Sequence, residues 1–424
     1  MSKTIWLVNP YGPVPSEAWR EYRYTIFGKE LAKAGWKVIW WTSNFSHHFK
    51  NYRSKGWKDE QISEGFIIRY VPTTSYKKNF GFGRLLKDIV FSINMHRRAC
   101  ECEKPDVIIA AENPICMGWP GFHYSKKSNV KIIYDQMDLW PEFIEESVST
   151  KIKKMTHCAL IPVYKRRNLI YNQLDGMIGL GKNYLQFALD KSETLNNKPH
   201  VCIYNGIYVD ESRRHMKGSY DKLPLKKENE IWCIFAGTLG VSYDIPTILD
   251  VSKKMMDDTN IKFLIAGNGP YLDLVKETAH KQTNLIYLGK VKPQELFPIY
   301  SKCDIGLMTY SKKSNVDMPD KMYDYTAAGL AIINSLTDEA KSVVEAYECG
   351  VNYQAEDCES LYNAIVRLAS NKEYLAKAKK NSSDVGSKYD IKMQMDALSK
   401  LLTKIVSIGA VSYTHLTLPT KRIV

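Results

Sequence analysis

Short apolar runs, each punctuated by glycine, proline or asparagine, recur along the chain with stretches of helical periodicity between them. Thr4–Val8 is the first run. It ends in the breaker segment Asn9-Pro10-Tyr11-Gly12-Pro13, after which Ser16 opens a helical pattern that continues to Ala34 and stops at Gly35. Lys37–Thr42, Phe66–Val71, Asp106–Ala110, Val130–Tyr134, Asp175–Ile178 and His200–Tyr204 read as the following strands, with Arg84–Glu103 as a helix among them. The segment Asp210–Glu230 is polar and charged and reads as a linker. The alternation then restarts with strands at Ile231–Phe235, Ile261–Ala266, Leu285–Leu288, Ile305–Met308 and Ala331–Ile333, each separated by a helical pattern, and closes with helices over Glu356–Leu368 and Asp390–Val406.

Strands that alternate with helices of this length pair in parallel and have both faces covered. The pattern therefore predicts an α/β protein of two Rossmann-like, doubly wound domains in series: residues 1–210, then 226–385, then a C-terminal helix over 386–409. From Ala410 the chain is Thr-rich and offers no helical face, so 410–424 reads as a disordered or non-native tail.

Composition narrows the class. A chain of 424 residues, 44% hydrophobic and 25% charged, is long enough to bury two cores without disulfide or metal staples. Nine scattered cysteines with no Cys-x-x-Cys fit a reducing cytoplasm, and the spacing predicts no metal site. No apolar run approaches the length of a membrane span. The formal charge of +13 is uneven: residues 1–200 hold 30 Lys and Arg against 19 Asp and Glu, whereas residues 201–400 hold 26 against 27. The basic front half suits an anionic partner or is a solvated face. On the helix from Arg84, the basic residues Arg84, Lys87 and Arg98 share one side and Leu86, Ile89, Val90 and Ile93 the other, so the basic side is expected to face solvent.

The chemistry lies in the loops. Ligands of open α/β sheets sit beyond the carboxyl ends of the strands, where glycine-rich turns let backbone amides approach phosphates. Ala236-Gly237-Thr238-Leu239-Gly240, Ala266-Gly267-Asn268-Gly269-Pro270 and Gly289 follow three consecutive strands, which predicts a nucleotide site on that edge. No Gly-x-x-x-x-Gly-Lys-Ser/Thr occurs, no Gly-x-Gly-x-x-Gly follows the first strand, and Asp-x-Asp is absent. Met318-Pro319-Asp320-Lys321-Met322-Tyr323-Asp324-Tyr325-Thr326-Ala327-Ala328-Gly329 starts a helix at proline and sets Lys321 and Asp324 three apart on one face. Such a pair can meet a phosphate and a ribose, or it can be an ordinary ion pair.

This helix resembles the Pro-x-Lys-x-x-Glu-Tyr-x-Ala-x-Gly signature of glycosyltransferase family 4, retaining GT-B enzymes that use nucleotide sugars. Phe235-Ala-Gly-Thr-Leu-Gly, Phe263-Leu-Ile-Ala-Gly-Asn-Gly-Pro, Leu288-Gly-Lys-Val, Cys303-Asp-Ile-Gly-Leu and the Asp338-Glu339-Ala340 loop fall in the family's order. Ala34-Gly-Trp-Lys-Val, Lys104-Pro-Asp-Val-Ile-Ile, Asp138-Leu-Trp-Pro-Glu142 and Tyr204-Asn-Gly-Ile look like its front-half strands. The resemblance implies two Rossmann-like domains facing a central cleft, the first on the acceptor side and the second binding the donor. It implies Asp324 on the donor ribose, Lys321 beside the diphosphate, Gly237 and Thr238 over the diphosphate, Gly267 in the next loop, Gly289, Lys290 and Val291 around the base, and Glu339 beside the transferred sugar. In the front domain it implies Gly12 in a flexible loop under the donor, Arg20 and Arg23 as further phosphate contacts, and Asp138 as a candidate for the acceptor proton.

Several residues depart from the family, Asp324 among them, which shortens the second Glu of its Glu-x7-Glu. Its Glu-x7-Glu would begin at Val316, its basic diphosphate loop is replaced by Thr238 and Tyr243-Asp244, and Met137 stands where a histidine is common. The expected activity is transfer of a sugar, with retention, from a nucleoside-diphosphate sugar to a lipid-linked or polysaccharide acceptor in surface polysaccharide synthesis. The nucleotide sugar is a substrate, and no cofactor or metal is expected. The partners are that donor, an anionic or lipid-linked acceptor and an anionic membrane surface, with no nucleic acid; the location is cytoplasmic, peripheral on the inner face of the membrane. The alternative is a non-catalytic GT-B subunit that binds a nucleotide sugar or a partner.

Overall fold

The structure, a computed structural model, describes all residues except 1–2, 18–20, 79–80, 113–117, 147, 259, 315 and 415–424, and side chains are not described for 118–120, 143, 146 and 408–414. Two compact units divide the chain: Met1–Tyr204 with the segment from Met395 on, and Asn205–Gln394.

The first unit is built on eight strands: β1 (Thr4–Val8), β2 (Lys37–Ser43), β3 (Lys58–Ser63), β4 (Phe66–Val71), β5 (Val107–Ala111), β6 (Lys131–Gln136), β7 (Gly176–Gly179) and β8 (His200–Cys202). They lie in the order β3-β4-β2-β1-β5-β6-β7-β8, all parallel but for the antiparallel β3–β4 pair. β1 and β5 are buried throughout, because every residue of Thr4–Val8 and Val107–Ala111 faces a helical layer on one side or the other. On one face Trp6, Trp41, Ile108 and Tyr134 pack with Phe91, Met95 and Ala99 of the helix Phe82–Ala99, Phe122 of Gly118–Ser128, and Ile170 and Tyr171 at the end of Thr150–Tyr171. β3, with the sequence Lys-Asp-Glu-Gln-Ile-Ser, is a polar edge that apolar periodicity does not reveal.

The second unit holds β9 (Ile231–Ala236), β10 (Ile261–Ala266), β11 (Leu285–Gly289), β12 (Ile305–Met308), β13 (Ala331–Asn334) and β14 (Gly350–Asn352), all parallel, in the order β11-β10-β9-β12-β13-β14. Phe235, Phe263, Ile305 and Ile333 form its core with Ile248, Val251, Leu361 and Ile365 from the helices Ile245–Lys254 and Cys358–Ala369. Both sheets reverse strand order beside their first strand, between β1 and β5 and between β9 and β12, and those reversals are where such folds take ligands.

Three sequence expectations change. The division falls at Tyr204–Asn205, and the segment read as a linker starts inside the helix Val209–His215. The last helix runs Ile391–Thr414, through the break expected at Ala410, and Ile405 packs directly over Gly176 of β7; the remaining tail, 415–424, lies outside the described residues. The helix Phe82–Ala99 departs from its expected orientation: Lys87 is fully buried and Arg84 half-buried, while Leu86, Ile89 and Ile93 are exposed; Arg98, at the end of the helix, is exposed as expected. Phe91, Met95 and Ala99 supply a second apolar stripe, and that one meets the sheet. Among the described residues no helix is long and apolar enough to cross a membrane.

Candidate functional site

The carboxyl edge of the second sheet is a stack of backbone turns. The Gly237 amide donates to the Ala266 carbonyl (2.9 Å), the Gly267 amide to the Gly289 carbonyl (2.8 Å) and the Leu239 amide to the Asn268 carbonyl (2.9 Å), so the loops after β9, β10 and β11 are tied in sequence. The Tyr287 hydroxyl adds a bond to the Gly267 carbonyl at 2.8 Å. Glycine is required at Gly267: its φ is +151°, and a Cβ there would lie 1.8 Å from the Gly237 carbonyl oxygen. Thr238 and Lys290 are exposed beside this stack and Val291 is half-buried.

Against it stands the helix Asp320–Ala327, entered through Pro319 in an extended conformation. Lys321, in its first turn, is only 7% exposed. Its ammonium lies 3.9 Å from the Tyr243 ring centroid, 4.9 Å from Phe235 and 5.4 Å from Tyr310. The aromatic faces attract the cation and fix its position. A Cβ on Gly237 would come within 2.7 Å of Lys321 Nζ, so the missing side chain is what lets the charge reach the loop backbone. Phe235 is next to last in β9 and Tyr310 follows β12, which puts the lysine at the reversal of strand order. Tyr325 holds the helix down: its hydroxyl accepts from the Ala236 amide at 3.1 Å, and its ring fills the space beside Gly306. Asp324, one turn beyond Lys321, is half-buried.

Tyr243 and Asp244, which replace the family's basic loop residues, have structural work. Tyr243 is the closest ring to Lys321. Asp244 caps the helix Ile245–Lys254 through the Thr247 amide (3.4 Å) and accepts from the Glu356 amide (2.8 Å). Glu339 is buried in the first turn of the helix Asp338–Ala346, and its amide donates to Oδ1 of buried Asp317 at 3.2 Å. Val316 is 40% exposed, and the next residue, Asp317, is the acid that reaches the Glu339 turn. Asp317 was missed because it stands one place away from the family's spacing.

Gly12 and Asp138 belong to the first unit. The Tyr22 ring lies directly over Gly12, whose carbonyl accepts from Arg53 Nη2 (2.8 Å), so this turn is fastened to the body. Arg20 lies outside the described residues. Arg23 is not a phosphate contact: it is buried, pairs with Asp135 through both Nε and Nη2 at 2.9 Å, and donates to the Ile203 carbonyl at 2.7 Å. Asp138 is exposed, and its amide and that of Met137 donate to the Glu112 carboxylate (3.1 and 3.0 Å). Burial first, then the Asp138 charge, pushes the Glu112 carboxyl well above the usual carboxylate range.

Sequence reasoning also missed a cluster beside the β1–β5 reversal. Tyr11 donates to Asp88 at 2.5 and 2.6 Å to its two oxygens, Lys87 Nζ sits 3.8 Å from the Tyr11 ring centroid, and the Arg84 guanidinium stacks at 4.8 Å from Tyr11 and 5.6 Å from Trp140. Only the breaker segment around Tyr11 hinted at it. Among the described residues no group of three or more His, Cys, Asp or Glu is placed to hold a metal ion.

Residues 231–371 match the family model described as glycosyl transferases group 1. No curated protein sequence matches the chain. Among solved structures the chain is similar to sucrose-phosphate synthase from Thermosynechococcus elongatus (TM-score 0.66, 15% identity, covering 95% of this chain and 99% of that one). It is similar to Anabaena Alr3699/HepE in complex with UDP (0.66, 13%, 95% and 100%) and to the structure of trehalose-6-phosphate from E. coli bound with UDP-2-fluoro glucose (0.67, 14%, 94% and 99%). The chain therefore has the GT-B fold, and the group 1 glycosyltransferase match over its second unit, taken with that fold, supports a transferase enzyme.

Proposed function

We propose that the chain moves a sugar from a nucleoside-diphosphate sugar to an anionic or lipid-linked acceptor, with retention, in surface polysaccharide synthesis at the cytoplasmic face of a membrane. The observation that carries this reading is Lys321, held by three aromatic rings against Gly237 at the strand-order reversal. UDP and UDP-2-fluoro glucose are bound by two proteins of the same fold, which supports a nucleotide-sugar donor.

Cleavage of the anomeric bond gathers negative charge on the departing diphosphate. A fixed cation and preorganised amides at that point lower the barrier without rearranging during the reaction. Lys321 supplies the cation, and the Gly237–Thr238 and Gly267 turns supply backbone close to it. Asp324 takes the ribose hydroxyls, Gly289 to Val291 border the base, and Glu339, its turn fixed by Asp317, lies beside the transferred sugar. In the first unit Asp138 is the candidate partner of the acceptor hydroxyl, beside the Gly12 turn. No metal or cofactor takes part in this scheme.

A non-catalytic binding subunit is the second reading, favoured by one observation: Val316, where the family's first acid would stand, is apolar and 40% exposed. The purified chain incubated with UDP- and GDP-sugars separates the two. Slow release of nucleoside diphosphate and free sugar, lost in Lys321→Met, is the expected result. Thermal stabilisation by a donor with no hydrolysis, and no transfer to membrane extract, would favour the binding subunit.

A further inference from the structure

The helix Phe82–Ala99 leaves a continuous apolar stripe in water. Phe82, Leu85, Leu86, Ile89 and Ile93 are 77, 46, 38, 41 and 44% exposed. At about 100° per residue they fall within an arc of about 100°, facing away from Phe91 and Met95, which pack on the sheet. Exposed apolar residues are ordinary when scattered; a row of five on one helix marks a surface that meets something.

The surroundings state what that partner is. Arg97 and Arg98 are exposed at the end of the same helix. The helix Thr150–Tyr171 is exposed or half-buried from Thr150 to Leu169, holds six Lys and Arg with no Asp or Glu, and exposes Met155 (68%) and Leu169 (61%) among them. Trp140 bridges the two helices: Arg84 stacks on its ring, and Arg167 Nη1 donates to its carbonyl at 3.2 Å. Acids at the rim take up part of this charge, Glu142 with Arg167 (2.7 Å), Glu145 with His157 (2.7 Å) and Glu101 with Arg98 (2.8 Å), and leave the surface with a net excess of cations. Apolar side chains interspersed with such an excess complement the acyl boundary and the anionic headgroups of a lipid leaflet. A protein partner would call for acidic or polar complements of defined shape, which nothing here selects.

We propose that the first unit docks on an anionic bilayer through the apolar stripe of Phe82–Ala99, with the basic helix Thr150–Tyr171 held against the headgroups beside it. The stripe begins two residues before Arg84, which stacks on Tyr11 at the β1–β5 reversal, so docking places the lipid surface next to the first unit's ligand edge. This deepens and rests on the reading of a lipid-linked acceptor; it replaces the expected basic face of the helix with an apolar one.

Flotation of the full chain with vesicles tests it, using phosphatidylcholine alone and phosphatidylcholine with phosphatidylglycerol. The wild type is expected to float with the anionic vesicles. Ile89→Glu/Ile93→Glu is expected to lower partitioning at least tenfold, Lys151→Glu/Lys153→Glu/Lys154→Glu about tenfold or more, and Ile93→Trp to preserve or raise it. Added salt is expected to weaken the wild type only in part, since the apolar contribution is not screened. Circular dichroism checks that the variants fold. Equal flotation of the wild type and Ile89→Glu/Ile93→Glu would overturn the proposal. So would a dimer in analytical ultracentrifugation that the double variant abolishes while no vesicle is bound, because the stripe would then be an interface between copies. Donor hydrolysis measured without vesicles keeps the two readings apart: hydrolysis without flotation removes the docking surface alone, and flotation without hydrolysis removes the transferase alone.

Discussion

Lys321 and Lys87 are both buried lysines that lie against aromatic rings, yet they differ in what the chain shows of them. Lys321 was legible because Pro319 fixes the helix start and the residue sits at a recognisable distance from Asp324 and Gly329. Lys87 was assigned to a solvated face, since an amphipathic helix with two apolar stripes gives no sign of which one turns inward. Its burial lowers its pKa from 10.5 to about 7, with the Asp88 charge opposing the shift and Arg84 and Arg53 adding to it. The unfolded chain keeps this proton up to about pH 10.5, whereas the native state gives it up near pH 7. Lys87 therefore costs its full share of stability below about pH 7, and that cost shrinks as pH rises between those values. Lys87→Met is expected to gain stability over the wild type at pH 7 and to lose about 2 kcal/mol of that advantage by pH 9. Urea unfolding of both proteins at the two pH values measures it; a difference independent of pH would show that Lys87 stays charged in the folded protein.

Among the elements, the buried parallel strands were the most readable, because β5, β9 and β12 are apolar along their whole length. β3 was missed because its residues are polar and face water, and β14 because three residues carry no period. The glycine loops were legible as turns, but not their mutual contact, which is a long-range property of the assembled sheet. That contact separates two otherwise similar glycines. Gly267 has backbone 1.8 Å from where its Cβ would be, whereas Gly289, at φ +77°, has nothing within 4 Å. Gly267→Ala is expected to cost about 3 kcal/mol or more through displacement of the neighbouring loop, and Gly289→Ala about 1 to 2 kcal/mol from backbone conformation alone. Denaturant unfolding of the two variants checks the order; equal losses would mean that the loops part easily.

For the whole molecule, the alternation of strand and helix revealed two doubly wound units, while the return of the chain from Met395 to the first unit was hidden, since a helix pattern does not say which sheet it packs on. In the proposed function the second unit holds a nucleoside diphosphate at the edge where Lys321 meets Gly237. Calorimetric titration of the wild type, Lys321→Met and Asp324→Asn with a nucleoside and with its diphosphate tests that claim most directly. Hydrogen bonds to a charged group contribute about 1.5 to 3 kcal/mol, so Asp324→Asn is expected to weaken both ligands by roughly ten- to a hundredfold. Lys321→Met is expected to weaken the diphosphate while leaving the nucleoside nearly unchanged. Equal affinities for all three proteins, or the same loss for both ligands in Lys321→Met, would contradict the account.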